Sequence, residues 1–197
     1  MRKLSYLFGL LLMVNFIFVA YGTNAPVDEG VVISGIRWAT RNVDAPGTFT
    51  ANPENVGQFY QWGRAQGWAV TGTVTGWDSS VSFEGTTWGR VDDPCPAGWR
   101  MPTSEELRLL RYVDSEQKTL NGVNGRLFGN APNQIFLPST GWRLEYDGAL
   151  VNVGVNGYYW SSSRTGSGFA RYLGFLRNSV SLSATNRAYG FNIRCVK

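Results

Sequence analysis

The sequence predicts one α+β domain, with one or two helices packed on short, twisted antiparallel sheets. Three observations carry that expectation. Pro102-Thr103-Ser104-Glu105-Glu106-Leu107 has the form of a capped helix start, with Thr103 at the N-cap and Glu106 three residues on. The second half of the chain alternates short β-branched and aromatic runs with turn dipeptides such as Asp147-Gly148. The 197 residues, 43% of them in the hydrophobic set and 24 of them glycine, suit one domain with a real core and many tight turns.

Each element has its own local cause. Residues 31–38 have strand composition, and 39–58 hold Pro46, Pro53 and several Asn and Gly, which make a loop. Between Gln58 and Trp68, the spacing of Phe59, Trp62 and Ala65 predicts a short helix. Residues 69–93 are rich in Gly, Thr, Ser, Trp and Asp and read as short strands or ordered loop. Asp93-Pro94-Cys95-Pro96-Ala97-Gly98-Trp99 is a rigid turn ahead of the capped helix, whose apolar stripe of Leu107 and Leu110 fades by Val113. Asn121 to Asn133 reads as a Gly/Asn loop, and Ile135 to Pro138 as a short strand. Gly141–Leu144 and Leu150–Val153 flank Asp147-Gly148 as a hairpin. Tyr158–Ser162 follows, and Ala170–Leu176 and Val180–Ser183 flank Arg177-Asn178-Ser179 as another hairpin. Phe191 to Val196 reads as a final strand in which Asn192 and Arg194 alternate with apolar neighbours.

The N-terminus carries an address. Arg2 and Lys3 precede an apolar run from Leu4 to Val19, and small residues at Ala20 and Gly22 stand at −3 and −1 of a cut before Thr23. Residues 1–22 read as a signal peptide, 23–30 as a polar leader and 31–197 as the domain. A retained single-span anchor is the rival reading. The chain has a formal charge of +4, but beyond residue 22 it holds 16 basic against 14 acidic residues. Basic character therefore gives no support to a nucleic-acid partner, and none is expected. Cleavage would leave no stable membrane span. The expected location is the cell surface or the secreted fraction, with the periplasm open. Export permits a bridge between Cys95 and Cys195; two free buried thiols are the alternative.

Composition removes most catalysts. With no His, the Ser-His-Asp triad, Cys-His pairs and HExxH zinc chemistry are excluded. No GxxxxGK[ST] loop exists. A carboxylate pair would need no His, yet Glu105 and Glu106 are assigned to the helix start, Asp92-Asp93 to a turn, and Glu145 and Asp147 to a hairpin tip. No catalytic residue, metal or cofactor is expected.

Five ordered segments carry a resemblance: Trp38-Ala39-Thr40-Arg41-Asn42; Cys95 to Thr103; Leu137-Pro138-Ser139-Thr140-Gly141; Gly157 to Ser163; and Asn186 to Lys197. Over residues 31–197 they resemble the Fibrobacter succinogenes major paralogous domain, common in secreted and surface proteins of Bacteroidetes-type bacteria. The resemblance implies a C-type-lectin-like fold with paired termini, favours the Cys95–Cys195 bridge, and brings no catalytic residues. The segment from Tyr159 onward also resembles the variable region of retroelement-diversified lectin-like proteins. That resemblance implies scaffold roles for Trp160, Ala170, Leu173, Phe175, Val180, Arg187, Gly190, Phe191 and Arg194. It implies a ligand surface of Arg164, Phe169, Arg171, Tyr172, Leu176, Arg177, Asn178, Ser181, Ser183 and Tyr189.

Aromatic rings offer flat apolar faces and polar edges to sugars or proteins. Trp38, Trp99, Trp142 and Trp160 are expected in the core, Tyr172 and Tyr189 at the surface, and Trp68, Trp77 and Trp88 stay open. The acid-containing calcium motifs of true lectins are absent. The expected function is recognition or adhesion through the C-terminal hairpin face, with an extracellular glycan or protein as partner. A pilus or envelope subunit and a carboxylate-based hydrolase are the alternatives.

Overall fold

In the computed structural model, residues 27–80 and 88–197 are described. The expected signal peptide and leader residues 23–26 lie outside them. Turns cut the chain into short antiparallel strands. β1 (Val31–Ile33) and β2 (Ile36–Trp38) form a hairpin, as do β3 (Phe59–Gln61) and β4 (Gly67–Trp68). The helix α1 (Ser104–Arg111) is followed by a meander of β5 (Ser115–Leu120), β6 (Val123–Asn130) and β7 (Asn133–Pro138). A hairpin of β8 (Trp142–Arg143) and β9 (Leu150–Val151) precedes a second meander of β10 (Gly157–Arg164), β11 (Phe169–Leu176) and β12 (Ser179–Asn186). The last strand, β13 (Gly190–Phe191), enters a five-stranded sheet of order β4-β3-β13-β8-β9.

The α+β, C-type-lectin-like expectation is corrected by this architecture. Among the described residues the fold is mainly β, with one eight-residue helix. The helix is short because its apolar stripe ends at Leu110 and the chain turns at Tyr112 into β5. The second helix, expected between Gln58 and Trp68, is the β3–β4 hairpin. Phe59, Tyr60 and Gln61 are all buried, so the strand lacks the period-two alternation that identifies strands in sequence. The supposed loop Asn121–Asn133 contains β6, the middle strand of its sheet. The final strand from Phe191 to Val196 shrinks to β13 plus isolated bridges from Asn192 to Tyr159 and from Val196 to Trp38 and Arg100.

The helix start follows its local chemistry. Glu106 N–H donates to Thr103 Oγ1 at 3.2 Å, and Thr103 N–H donates to Glu106 Oε2 at 2.7 Å. Two donors that the first turn leaves orphaned are thereby satisfied. Cys95 and Cys195 form a disulfide, which ties the turn before α1 to the last segment of the chain. That segment also closes on the first hairpin: Ala39 N–H donates to Cys195 O at 2.9 Å, and Lys197 N–H to Arg37 O at 2.9 Å. Gly141 is required by its place, since it sits at φ +70° and a Cβ there would stand 2.1 Å from Val151 O.

The β10–β11–β12 sheet divides two hydrophobic cores. On one side Tyr159, Leu173 and Phe175 pack with Leu107 and Leu110 of α1, Phe128 and Ile135. On the other, Trp160 and Ala170 pack with Tyr60, Trp62, Phe191, Ile193 and Cys195. Guanidinium groups are buried among backbone carbonyls. Arg194 bonds Asn42 Oδ1, Ala39 O and Phe136 O, and burial lowers its pKa to about 10. Arg143 bonds the carbonyls of Ala69 and Gly148. Asp28, in the expected leader, is buried and accepts from Thr40, Arg41 and Gly30, so the folded body begins ahead of β1. No helix among the described residues is long and apolar enough to cross a membrane.

Candidate ligand-binding face

Strand alternation decides which side chains meet. The register of β10 and β11 places Tyr158 opposite Gly174 and Trp160 opposite Tyr172. The register of β11 and β12 places Ser181 opposite Gly174 and Ser183 opposite Tyr172. Tyr158, Trp160, Tyr172, Gly174, Leu176, Ser181 and Ser183 therefore share one face. Gly174 leaves room for the flanking rings: a Cβ there would sit 3.0 Å from the Tyr172 ring and 3.4 Å from that of Tyr158.

Buried Phe191 is the hub of an aromatic cluster on this face. Its ring centroid lies 4.2 Å from Trp160, 5.0 Å from Tyr172, 5.2 Å from Tyr158 and 5.9 Å from Tyr189. Trp142, from β8, packs against Tyr158 at 4.7 Å, and Tyr158 against Tyr172 at 5.5 Å. Trp142, Tyr158, Tyr172 and Tyr189 are half-buried; the three tyrosines hold their rings around the hub, Trp142 packs on Tyr158, and Ser181 and Ser183 share the face.

Two phenols of this cluster, Tyr158 and Tyr189, are held neutral. Burial and the neighbouring Glu145 carboxylate push Tyr189 up to about 12. Burial and, secondarily, Tyr172 push Tyr158 up, against a hydrogen bond with Asn156. At neutral pH the face offers apolar rings and hydroxyl groups. Glu145 Oε2 is buried without a hydrogen-bond partner among the described residues.

The ten ligand candidates do not form one surface. Tyr172, Leu176, Ser181 and Ser183 lie on the aromatic face, and Tyr189 joins it from the turn before β13. Arg171 is consecutive with Tyr172 in a regular strand, so the two point to opposite faces, and Phe169 shares the side of Arg171. Arg164 is exposed at the end of β10, beyond a register shift after Trp160. Arg177 and Asn178 form the β11–β12 turn, and Arg177 lines a separate groove of about 380 Å³ with Lys118, Thr119, Asn124 and Ser139.

Sequence reasoning missed Tyr158 and placed Trp142 in the core. The alternation of Tyr158-Tyr159-Trp160 carried the signal for Tyr158: Tyr159 is fully buried toward α1, so its neighbours face the other way. For Trp142 no local signal exists, because its exposure depends on where β8 meets β10. Trp99 is half-buried, whereas Trp38 and Trp160 are fully buried; of the three left open, Trp68 and Trp88 are buried and Trp77 half-buried.

Four of the six carboxylates considered for hydrolysis have structural duties. Glu105 pairs with Arg108, and Glu106 with Arg100 and the helix cap. Asp93 accepts from Cys95 N–H at 2.9 Å and Met101 N–H at 3.0 Å, and Asp147 from Ala149 N–H at 2.9 Å. Among the described residues, no group of three or more His, Cys, Asp or Glu is placed to hold a metal.

No curated protein and no solved structure matches this chain. A family model does: the Fibrobacter succinogenes major domain matches residues 31–197, most of the chain, and the protein belongs to that family.

Proposed function

We propose that the protein is an exported, non-catalytic binding module that recognises an extracellular glycan through the aromatic face of β10–β12. The observation that carries this reading is the set of half-buried rings of Tyr158, Tyr172 and Tyr189 around Phe191, extended by Trp142 on Tyr158. Such rings stack on the C–H faces of sugars, and neutral phenols and serine hydroxyls supply directional hydrogen bonds. Engagement of Glu105, Glu106, Asp93 and Asp147 in caps, pairs and turns supports a non-catalytic role. The basic, then apolar, then small-residue start of the chain supports export.

An array of immobilised glycans, probed with the protein from residue 23 onward, tests this. Binding to a defined glycan class is expected, and Trp142→Ala or Tyr172→Ala should lower it at least tenfold while the fold persists. Binding only to immobilised host proteins, lost in the same variants, would move the reading to a protein partner. Binding unaffected by both variants would remove the aromatic face from the account.

A second reading, that of a structural subunit, is favoured by one observation: β12 is an edge strand that no other strand covers among the described residues.

A further inference from the structure

Two edge strands of this molecule are built differently. β5 closes one side of its sheet and exposes Glu116, Gln117 and Lys118. Charges along an edge discourage pairing with another chain. β12 closes the side of its own sheet with eight residues, Ser179–Asn186, that include no charge and no proline. Its register with β11 runs unbroken from Leu176↔Ser179 to Phe169↔Asn186, so no bulge turns the edge away. The protection that β5 has, β12 lacks.

The turn fixes which backbone groups face outward. The two-residue connection Arg177-Asn178 makes Leu176 and Ser179 a hydrogen-bonded pair, and bonded pairs then recur at Ser181, Ser183 and Thr185. The N–H and C=O of Val180, Leu182 and Ala184 therefore point away from β11. Arg111 Nε confirms the direction by donating to Val180 O at 3.2 Å. Beyond that contact, no strand pairs with Leu182 or Ala184 among the described residues.

Charge gathers at one end of this edge. Arg111 reaches Val180, and Arg126 Nη1 donates to Arg177 O at 3.4 Å beside the turn. None of these three arginines belongs to an ion pair among the described residues.

We propose that β12 accepts an extended segment of another protein as an added antiparallel strand, whose acidic C-terminal end meets Arg111 and Arg177. In an antiparallel pair the C-terminal end of the added strand lies beside the start of β12, where the arginines stand. The hydroxyls of Ser179, Ser181 and Ser183 line one face and the apolar Val180, Leu182 and Ala184 the other, so a segment alternating small polar and apolar residues fits. A second copy's β12 fits less well, because it brings no acid to the arginines. The site shares Ser181 and Ser183 with the aromatic face but uses the rim of the sheet and not the rings, so its test stands apart from the glycan reading.

The test is fluorescence polarisation with a labelled synthetic peptide that alternates threonine and valine and ends in three glutamates. Ala184→Pro removes one outward N–H while leaving the bonds to β11 in place, so the variant should fold. The peptide should bind the wild-type chain, at least tenfold more weakly Ala184→Pro, and severalfold more weakly Arg111→Glu. Melting temperatures should be unchanged, and Trp142→Ala should bind as wild type does. The proposal is overturned if the wild-type chain does not bind the peptide, or if Ala184→Pro binds it equally. It is also overturned if the chain dimerises in sedimentation and Ala184→Pro abolishes the dimer, for the edge would then belong to a second copy.

Discussion

The two faces of the β10–β11–β12 sheet are made by the same strands and do different work. One face buries Tyr159, Leu173 and Phe175 against α1 and the β5–β6–β7 sheet. The other carries Tyr158, Tyr172, Ser181 and Ser183, which stop short of full burial around Phe191. Side chains alternate along a strand, so a one-residue step moves a position from the closed core to the half-buried ring face. Arg171 beside Tyr172 and Tyr159 beside Tyr158 are the clearest steps. Position on a face, rather than residue type, separates a core tyrosine from a candidate ligand contact.

The largest effect should come from the dry face. Phe175→Ala would leave a cavity between β11, Phe128 and Tyr159, and should destabilise the fold by about 3–5 kcal/mol in denaturant titration. A loss below about 1 kcal/mol would mean this face is looser than described. On the aromatic face, Tyr172→Ala should cost less, about 1–2 kcal/mol, because its ring already meets solvent. Its larger effect should be on ligand affinity, which separates the two faces by their readout.

Alkaline pH should set the faces apart again. Tyr159 is fully buried on the dry face, and burial pushes its phenol well above the usual range, against Arg194 and a bond from Asn42. Tyr60, buried beside Asp44, is raised in the same way. A phenol whose folded pKa is raised contributes stability that is fully present below the unfolded value, about 10, and is lost as pH rises through the folded value. Arg194, lowered to about 10, acts in the opposite direction from that pH, as do Arg126, Arg143 and Arg187, which burial lowers less; Tyr158 and Tyr189 are raised as well, so just above pH 10 four phenols stand against Arg194. Unfolding should therefore become easier above about pH 10, with Tyr60 and Tyr159 ionising only as the chain opens, read by phenolate absorbance alongside circular dichroism. Ionisation of all tyrosines with the fold intact would contradict this.

The smallest effect should be that of Ser181→Ala, within about 0.5 kcal/mol in stability, since its hydroxyl makes only a 3.4 Å contact with Gly174 O. A larger cost would place Ser181 in the scaffold.

Features whose cause is local were legible in the sequence. The capping box at Thr103 and Glu106, the Asp147-Gly148 turn and the β11–β12 hairpin each depend on neighbours within a few residues. Features fixed by distant partners were not. Arg194 and Asn192 look like the polar side of an alternating strand, yet both are buried because carbonyls of Ala39, Phe136, Val56 and Gln58 converge on them. β3 looks helical in sequence because both of its faces are covered, which removes the alternation of a strand. β6 looks like a loop in sequence because Asn124, Gly125, Gly129 and Asn130 mimic a turn. The candidate site divides in the same way: Tyr172, Ser181 and Ser183 share a hairpin face set by local register, while Trp142 arrives from a separate strand.

The proposed role rests on ligand recognition by the aromatic face. The direct measurement is the glycan array probed with the wild-type chain and the Trp142→Ala, Tyr172→Ala double variant at equal concentration, with circular dichroism and melting recorded for both. A defined set of glycans should be bound by the wild-type chain and lost by a folded double variant. The same glycans bound equally by that folded variant would contradict it.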